Sequence, residues 1–362
     1  MELKAIGLNI YGGGFTLGVS EHFDVVGQWE ECLAGRRTWD MNFDELFMER
    51  PLRHQDWPLD RWRRKVQLVY ANPPCAPWSS GNTTRRGSDR FNDPRLALSA
   101  HSMEAGLELR PEVFMCESVC NAFTIGIEYY NGWARKWMDE GYMVTYFLTD
   151  ALLHGVPSTR QRFHFIAHRH ELPLVEPDMK RFMPTTVRMA IGDLELDRAQ
   201  WKLGAREGLT QHEIKAIPDD LRRAFEETYP GDCVAPVVQR LKDEGKYRGT
   251  LFSFLIRRAV WDAPMFTILY LSAMVHPNGT RWMTWREGLR LCGYPDTFRI
   301  HDPKEATQAV LPPIGAYLAS VAKSSISERV SGQRGRSVRV LDWRRLAAPY
   351  RPGAVRELLR AE

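Results

Sequence analysis

Cys75 is the residue of this 362-residue chain most suited to chemistry. It closes the stretch Ala71-Asn72-Pro73-Pro74-Cys75, and Ser79 follows four residues on. The run before it, Val66-Gln67-Leu68-Val69-Tyr70, is short, apolar and β-prone, which predicts a buried strand. Two prolines then force a stiff exit. The carboxyl ends of strands are where open α/β sheets place their chemistry. A free cysteine is ordinarily buried and inert. The strand, the Pro-Pro-Cys turn and Ser79 favour a nucleophile instead, because a thiolate attacks well and also leaves well. Glu117 is the second candidate. It follows Val113-Phe114-Met115-Cys116, and a carboxylate there is unfavourable unless it has a partner or a task. Arg160 and Arg162 enter another apolar run, residues 163–167. Their i, i+2 spacing predicts one shared face of a strand.

Other residues suit a cofactor. Leu8 to Gly18 reads as a strand, a Gly12-Gly13-Gly14 turn and a helix beginning near Phe15. Glycines let a backbone approach a ligand closely, although a plain loop would also use them. A second strand, residues 23–27, leads to Trp29-Glu30, and an acid at that point suits the hydroxyls of a ribose. Taken singly, Glu30 and Asp56 read as solvated surface acids.

Taken in order, these stretches resemble the cytosine-5 DNA methyltransferase family. Pro74-Cys75 with Ser79 looks like its nucleophile loop. Glu117-Ser118-Val119 stands for Glu-Asn-Val. Ser158, Arg160 and Arg162 stand for Gln-x-Arg-x-Arg. Arg286-Glu287 with Gly293-Tyr294-Pro295, and then Ile314-Gly315, resemble its last motifs. The likeness covers roughly residues 5–168 and 255–327. It implies S-adenosylmethionine (SAM) as cofactor, held by Asn9, Tyr11, Gly12, Gly14, Phe15, Glu30, Asp56, Trp57, Asn72, Leu98 and Ala316. It implies that Cys75 adds to carbon 6 of a flipped-out cytosine, that Glu117 serves ring nitrogen 3, and that Arg160 and Arg162 hold the carbonyl oxygen and flanking phosphate. Residues 80–90 are expected to form a lid on DNA, with Ser79, Arg85, Arg86 and Arg90 as contacts. Gly7, Asn9, Tyr11, Ser118 and Ala316 depart from the family pattern. The departures near the cofactor leave two alternatives open, ordinary SAM or a derivative that transfers a larger group. A transfer RNA substrate is a further alternative.

These residues need a frame. Alternating strands and helices over residues 1–168 predict an α/β fold, a doubly wound, mostly parallel sheet. A smaller, irregular target-recognition region follows at 169–280, with a helix around 211–228, and is expected to face the sheet across a DNA-wide cleft. Residues 281–330 return to the catalytic domain through an apolar helix. Residues 331–362 read as a basic tail with one or two short helices. Composition agrees with a globular chain: 44% apolar residues and a net charge of +4, from 49 basic and 45 acidic residues. The six cysteines form no Cys-x-x-Cys pair, so no metal site or disulfide framework is expected. No apolar run approaches the roughly 20 residues of a membrane span, and no signal peptide is recognisable. The expectation is an intracellular (cytoplasmic) monomer acting on double-stranded DNA.

Overall fold

Short apolar runs set the strands, and amphipathic or glycine-punctuated runs set the helices between them. The computed structural model describes residues 2–43, 53–82, 85–194, 219–249, 256–271, 274–331, 337–354 and 357. In chain order these form β1 (Lys4–Leu8), α1 (Gly14–Val19), β2 (Asp24–Trp29), α2 (Leu33–Asn42), α3 (Leu59–Trp62), β3 (Leu68–Ala71), α4 (Leu96–Leu109), β4 (Val113–Val119), α5 (Asn121–Thr124), α6 (Ile127–Asp139), β5 (Met143–Asp150) and β6 (Gln161–His168). There follow α7 (Val187–Ile191), α8 (Asp219–Glu227), α9 (Ala235–Asp243), β7 (Arg257–Arg258), β8 (Met274–Val275), α10 (Trp285–Leu291), α11 (Pro303–Gln308), α12 (Pro312–Glu328) and β9 (Arg339–Asp342).

The chain divides into two compact units. The first comprises residues 1–150, 161–178 and 300–345, the second 151–160, 179–299 and 346–362. Residues 151–160 and 281–299 thus cluster with the second unit and not with the sheet.

In the first unit the strand order is β2-β1-β3-β4-β6-β5-β9. Every pairing is parallel except those of β6, which runs antiparallel to both β4 and β5. This is the predicted mostly parallel α/β sheet. β3 and β5 are buried along their whole length, the continuous burial expected of strands covered on both faces. Gly106 of α4 is needed for packing, since a Cβ there would lie 2.5 Å from the Phe114 ring. α1 crosses α12 just as closely: a Cβ on Gly18 would lie 2.3 Å from the Pro312 carbonyl oxygen.

Residues 54–56 form a 3-10 turn. The tail is not a detached basic extension, because Arg339–Asp342 adds parallel to β5 as an edge strand and Trp343 behind it is 4% exposed. Residues 332–336, expected as a linker, lie outside the described residues, as do 211–218 of the expected helix; its remainder is α8.

The second unit has a small core of Phe225, Val238, Leu241 and Trp282 among others. Its firmest part is the entry to α10. Thr284 and Glu287 form a reciprocal capping box, and Arg281 grips the buried Glu287 carboxylate at 2.7 and 2.8 Å. Paired, hydrogen-bonded charges are the form in which a buried ion is tolerated. Arg286 donates to the carbonyls of Pro295 and Phe298, each at 3.0 Å, which folds the Gly-Tyr-Pro turn onto the helix.

Candidate active site

β3 and β4 lie side by side with Ala71 opposite Cys116. The residue after each register partner opens the site. Beyond Ala71 come Asn72 and the turn to Cys75; beyond Cys116 comes Glu117. Cys75 is partly exposed, whereas the Pro77 and Trp78 that follow are buried. Trp78 anchors the turn between the Phe91 and Tyr129 rings, at centroid distances of 5.4 and 5.8 Å. The thiol is thus presented from a rigid base.

Glu117 is 1% exposed, with an ion pair at one oxygen and a hydrogen bond at the other. Arg162 Nε stands 2.6 Å from its Oε1, and Asn72 Nδ2 donates to its Oε2 at 2.6 Å. Asn72 Oδ1 in turn accepts the Val310 amide at 3.2 Å. Arg162 reaches Glu117 because β6 pairs antiparallel with β4, placing Arg162 opposite Val119. Asn72, expected at the cofactor, therefore orients the glutamate. Arg160 lies outside β6 and in the second unit, where it is 4% exposed and faces Cys292.

The loop after Cys75 gives its arginines different surroundings. Arg90 does not offer its guanidinium to solvent. It is 9% exposed and donates to the carbonyls of Pro77 and Ser79 at 2.8 and 2.9 Å. Arg85 is loosely paired with Asp89 at 3.5 Å, Arg86 is exposed, and the Ser79 hydroxyl accepts the Gly81 amide. Arg95, which the sequence did not single out, acts electrostatically on Cys75. Its hydrogen bonds to Asp93 hold that carboxyl down at about 2.

At the ends of β1 and β2 the glycine-rich turn is clipped by Glu30. This carboxylate is 6% exposed and accepts the amides of Tyr11 at 2.6 Å and Cys32 at 2.7 Å. Burial pushes its pKa up to about 7, against those amides, which pull it down. Asn9 and Tyr11 both adopt positive φ, 50° and 51°. Gly13 is the left-handed cap of α1. Gly12 is required by the approach of Glu305, whose Cβ would lie 2.8 Å from a Cβ on residue 12. Asn9 donates to Ser102 Oγ at 2.9 Å and, more loosely, to the Leu98 carbonyl at 3.4 Å, so Leu98 does meet Asn9. Trp57 is buried and lies 5.4 Å from Trp29.

The other residues expected at the cofactor have these surroundings. Phe15 is wholly buried against Tyr70. Gly14 begins α1, and Asp56 is exposed. Ala316 is inside α12, its amide facing Gly18 of α1. The segment that reaches Asn72 is Ala309-Val310, one turn before that helix. In the same turn as Asp56, His54 bonds Glu31 at 2.8 Å and stacks on His101 at 3.7 Å.

The residues present fit SAM. Asn9 Oδ1, just after β1, and Trp57 Nε1, after the 3-10 turn, are buried without a hydrogen-bond partner among the described residues, an acceptor and a donor open to a ligand. With the amides of Tyr11, Cys32 and Glu31 on its carboxylate, Glu30 keeps one lone-pair position for a ribose hydroxyl.

Residues 3–315 match the family of C-5 cytosine-specific DNA methylases, and the chain belongs to that family. It is similar to the type II methyltransferase M.FnuDI of Fusobacterium nucleatum, 22% identical over 83% of this chain and 86% of that one. M.XorII of Xanthomonas oryzae pv. oryzae is 26% identical over 67% of this chain and 63% of its own. A Methanocaldococcus jannaschii protein assigned as a type II methyltransferase is 27% identical over 64% of this chain, and the match spans 57% of its length. Among solved structures, a protein assigned as a DNA modification methyltransferase of an E. coli prophage superposes with TM-score 0.67 at 17% identity, covering 90% of this chain and 99% of that one. The S. pombe Dnmt2 methyltransferase gives 0.60 at 11%, with the same coverage. At such identities the superpositions speak for the fold. No helix among the described residues is long and apolar enough to cross a membrane.

Proposed function

We propose that this chain methylates carbon 5 of cytosine in double-stranded DNA, with Cys75 as nucleophile and Glu117 as the acid at ring nitrogen 3. The observation that carries the reading is the adjacency of the Cys75 turn on β3 and the clamped Glu117 on β4. Cys75 adds to carbon 6, which breaks the aromaticity of the ring and makes carbon 5 nucleophilic. Glu117 holds a proton at nitrogen 3 as charge builds there. Arg162, already paired with Glu117, orients it and faces the base carbonyl. Bound SAM supplies an electrophilic methyl group. Cys75 leaves when carbon 5 gives up its proton. A stacked base is out of reach of these groups, so the target cytosine is flipped from the duplex. Arg86 and Arg85 are the candidates for phosphate contacts, and sequence readout is assigned to the second unit.

The family membership and the likeness to type II methyltransferases support methyl transfer to DNA, with restriction-modification as the fitting role. The test is mass spectrometry of nucleosides from duplex DNA and from transfer RNA incubated with the protein and SAM. The expected product is 5-methylcytosine from the duplex alone. Product from transfer RNA alone would replace the substrate. A heavier cytosine adduct, formed only with a SAM derivative, would replace the transferred group.

A further inference from the structure

The glycine-rich turn between β1 and α1 does not begin with a glycine. The Gly13 amide donates to the Ile10 carbonyl at 3.1 Å, so Ile10-Tyr11-Gly12-Gly13 is a four-residue turn with Tyr11 at its first central position. Positive φ at that position is ordinarily taken by glycine, asparagine or aspartate, yet Tyr11 has a φ of 51°. A bulky residue persists in that conformation only where its surroundings over-determine it. Here the peptide groups on either side of the Tyr11 Cα are both fixed. Glu30 accepts the Tyr11 amide at 2.6 Å, and the Trp39 indole N–H donates to the Tyr11 carbonyl at 2.8 Å.

Trp39 is brought there by α2, which packs along the turn. Gly35 precedes Trp39 by one helical turn, and a Cβ on it would lie 2.6 Å from the Tyr11 carbonyl oxygen. Four residues apart, the two share one helix face. Phe43, the C-cap of α2, fills the space beside Gly13, where a Cβ would lie 2.7 Å from its ring. α2 is in turn tied to α11. The Thr38 hydroxyl donates to the Glu305 carboxylate and accepts the His301 amide at 3.0 Å, and Glu305 lies against Gly12. We propose that Trp39 is a positioning residue for the cofactor: its N–H holds residue 11 left-handed, so that a tyrosine keeps the turn in the shape a glycine would adopt unaided. The proposal rests on this turn being the SAM site. A tryptophan that only filled the core would be indifferent to which residue occupies position 11.

The test is a double-mutant cycle of Trp39→Phe and Tyr11→Gly in the full chain, read by calorimetry with SAM. With Tyr11 in place, Trp39→Phe should raise the Kd for SAM about tenfold, the scale of one hydrogen bond lost from a buried carbonyl. The kcat at saturating SAM should stay within about twofold of native, the sign of lost binding rather than lost chemistry. In the Tyr11→Gly background the same substitution should raise Kd by no more than about twofold, because the two residues act through one contact. Without cofactor, amide hydrogen exchange over residues 11–14 should quicken on Trp39→Phe in the native background and much less in Tyr11→Gly. Equal losses in both backgrounds, unchanged exchange, or a fall in kcat with Kd intact would each overturn the proposal. Should the native protein bind no SAM, the cofactor reading fails, and the exchange comparison still decides whether Trp39 holds the turn. If Trp39→Phe does not fold, a benzothiophene analogue of tryptophan, with sulfur in place of the N–H, carries the same comparison.

Discussion

Arg162 Nε stands 2.6 Å from Glu117 Oε1, joining two strands that are antiparallel neighbours in an otherwise parallel sheet. The reversal of β6 is what lets an arginine entering one strand meet an acid leaving another. With Asn72 on the second oxygen, the carboxylate has one orientation. Glu117→Gln keeps the shape and the Asn72 side of this arrangement but removes the acid. It is expected to lower kcat by about two to four orders of magnitude, the range of a positioned general acid, with little change in the Kd for DNA. A rate near that of the native protein would make the carboxylate purely structural.

Cys75→Ser should abolish turnover and leave the melting temperature close to native. The side chain is partly exposed and sits on a turn anchored by Trp78, so the exchange disturbs no core. A serine hydroxyl is far harder to deprotonate than a thiol. On duplex carrying 5-fluorocytosine the native protein should form an adduct stable to denaturation. An adduct that persists in Cys75→Ser would assign the nucleophile to another residue.

Arg90 and Arg86 lie four residues apart in the same loop, yet they have opposite surroundings. Arg90 is buried on the Pro77 and Ser79 carbonyls, and Arg86 is exposed. Arg90→Ala removes a donor from the Pro77 and Ser79 carbonyls, of which Ser79 keeps the Asn82 amide, so it should lower kcat and thermal stability while the salt dependence of DNA binding is unchanged. Arg86→Ala should leave stability alone and reduce the slope of log K against log salt by about one. Fluorescence anisotropy across a salt series separates the two. If Arg90→Ala reduced the slope and Arg86→Ala did not, the assignments would be reversed.

Much of this was legible in the chain because strand ends carry strong local signals. The Pro-Pro-Cys turn, the acid after Val-Phe-Met-Cys and the apolar run behind Arg162 each specify an element and its terminus. The resemblance supplied their common purpose. Long-range partners were not legible. Nothing local shows that Asn72 bonds Val310, 238 residues away, or that Arg90 turns inward. The β9 segment, Arg-Val-Leu-Asp, is too short and too charged to announce a strand, and it is held as one by β5 and by the burial of Trp343. The Ile-Gly pair, matched by residue type alone, gave no sign that Gly315 serves the crossing of α1 and α12.

Gly7, one of the departures from the family pattern, has a packing reason. A Cβ there would lie 2.7 Å from the ring of Tyr70, whose hydroxyl shares a hydrogen bond with Thr16 at 2.8 Å. The phenol fills the space that a side chain on residue 7 would occupy. Gly7→Asp should therefore destabilise the protein by about 2 kcal/mol or more, through overpacking and an unpaired buried charge. Chemical denaturation measures it, and a loss below about 0.5 kcal/mol, the range of neutral surface changes, would mean that Tyr70 moves aside freely.

Glu30 offers the pH test of the cofactor site. Burial raises its carboxyl to about 7, so near neutrality the free protein holds a mixture of neutral acid and carboxylate. A ribose hydroxyl would donate to the carboxylate and so favour the ionised form in the complex. The bound pKa then lies below the free one, and by linkage binding releases a proton wherever the free group is still protonated. SAM affinity should accordingly rise with pH up to and through about 7 and level off above it. Calorimetry in two buffers of different ionisation enthalpy reads both the affinity and the proton released. The cofactor's own amine also titrates, so Glu30→Gln serves as the reference. It should bind more weakly, with the Glu30-linked rise removed. A native affinity that falls between pH 6 and 8 relative to Glu30→Gln would mean that the ligand meets the neutral acid, and the ribose assignment would be wrong.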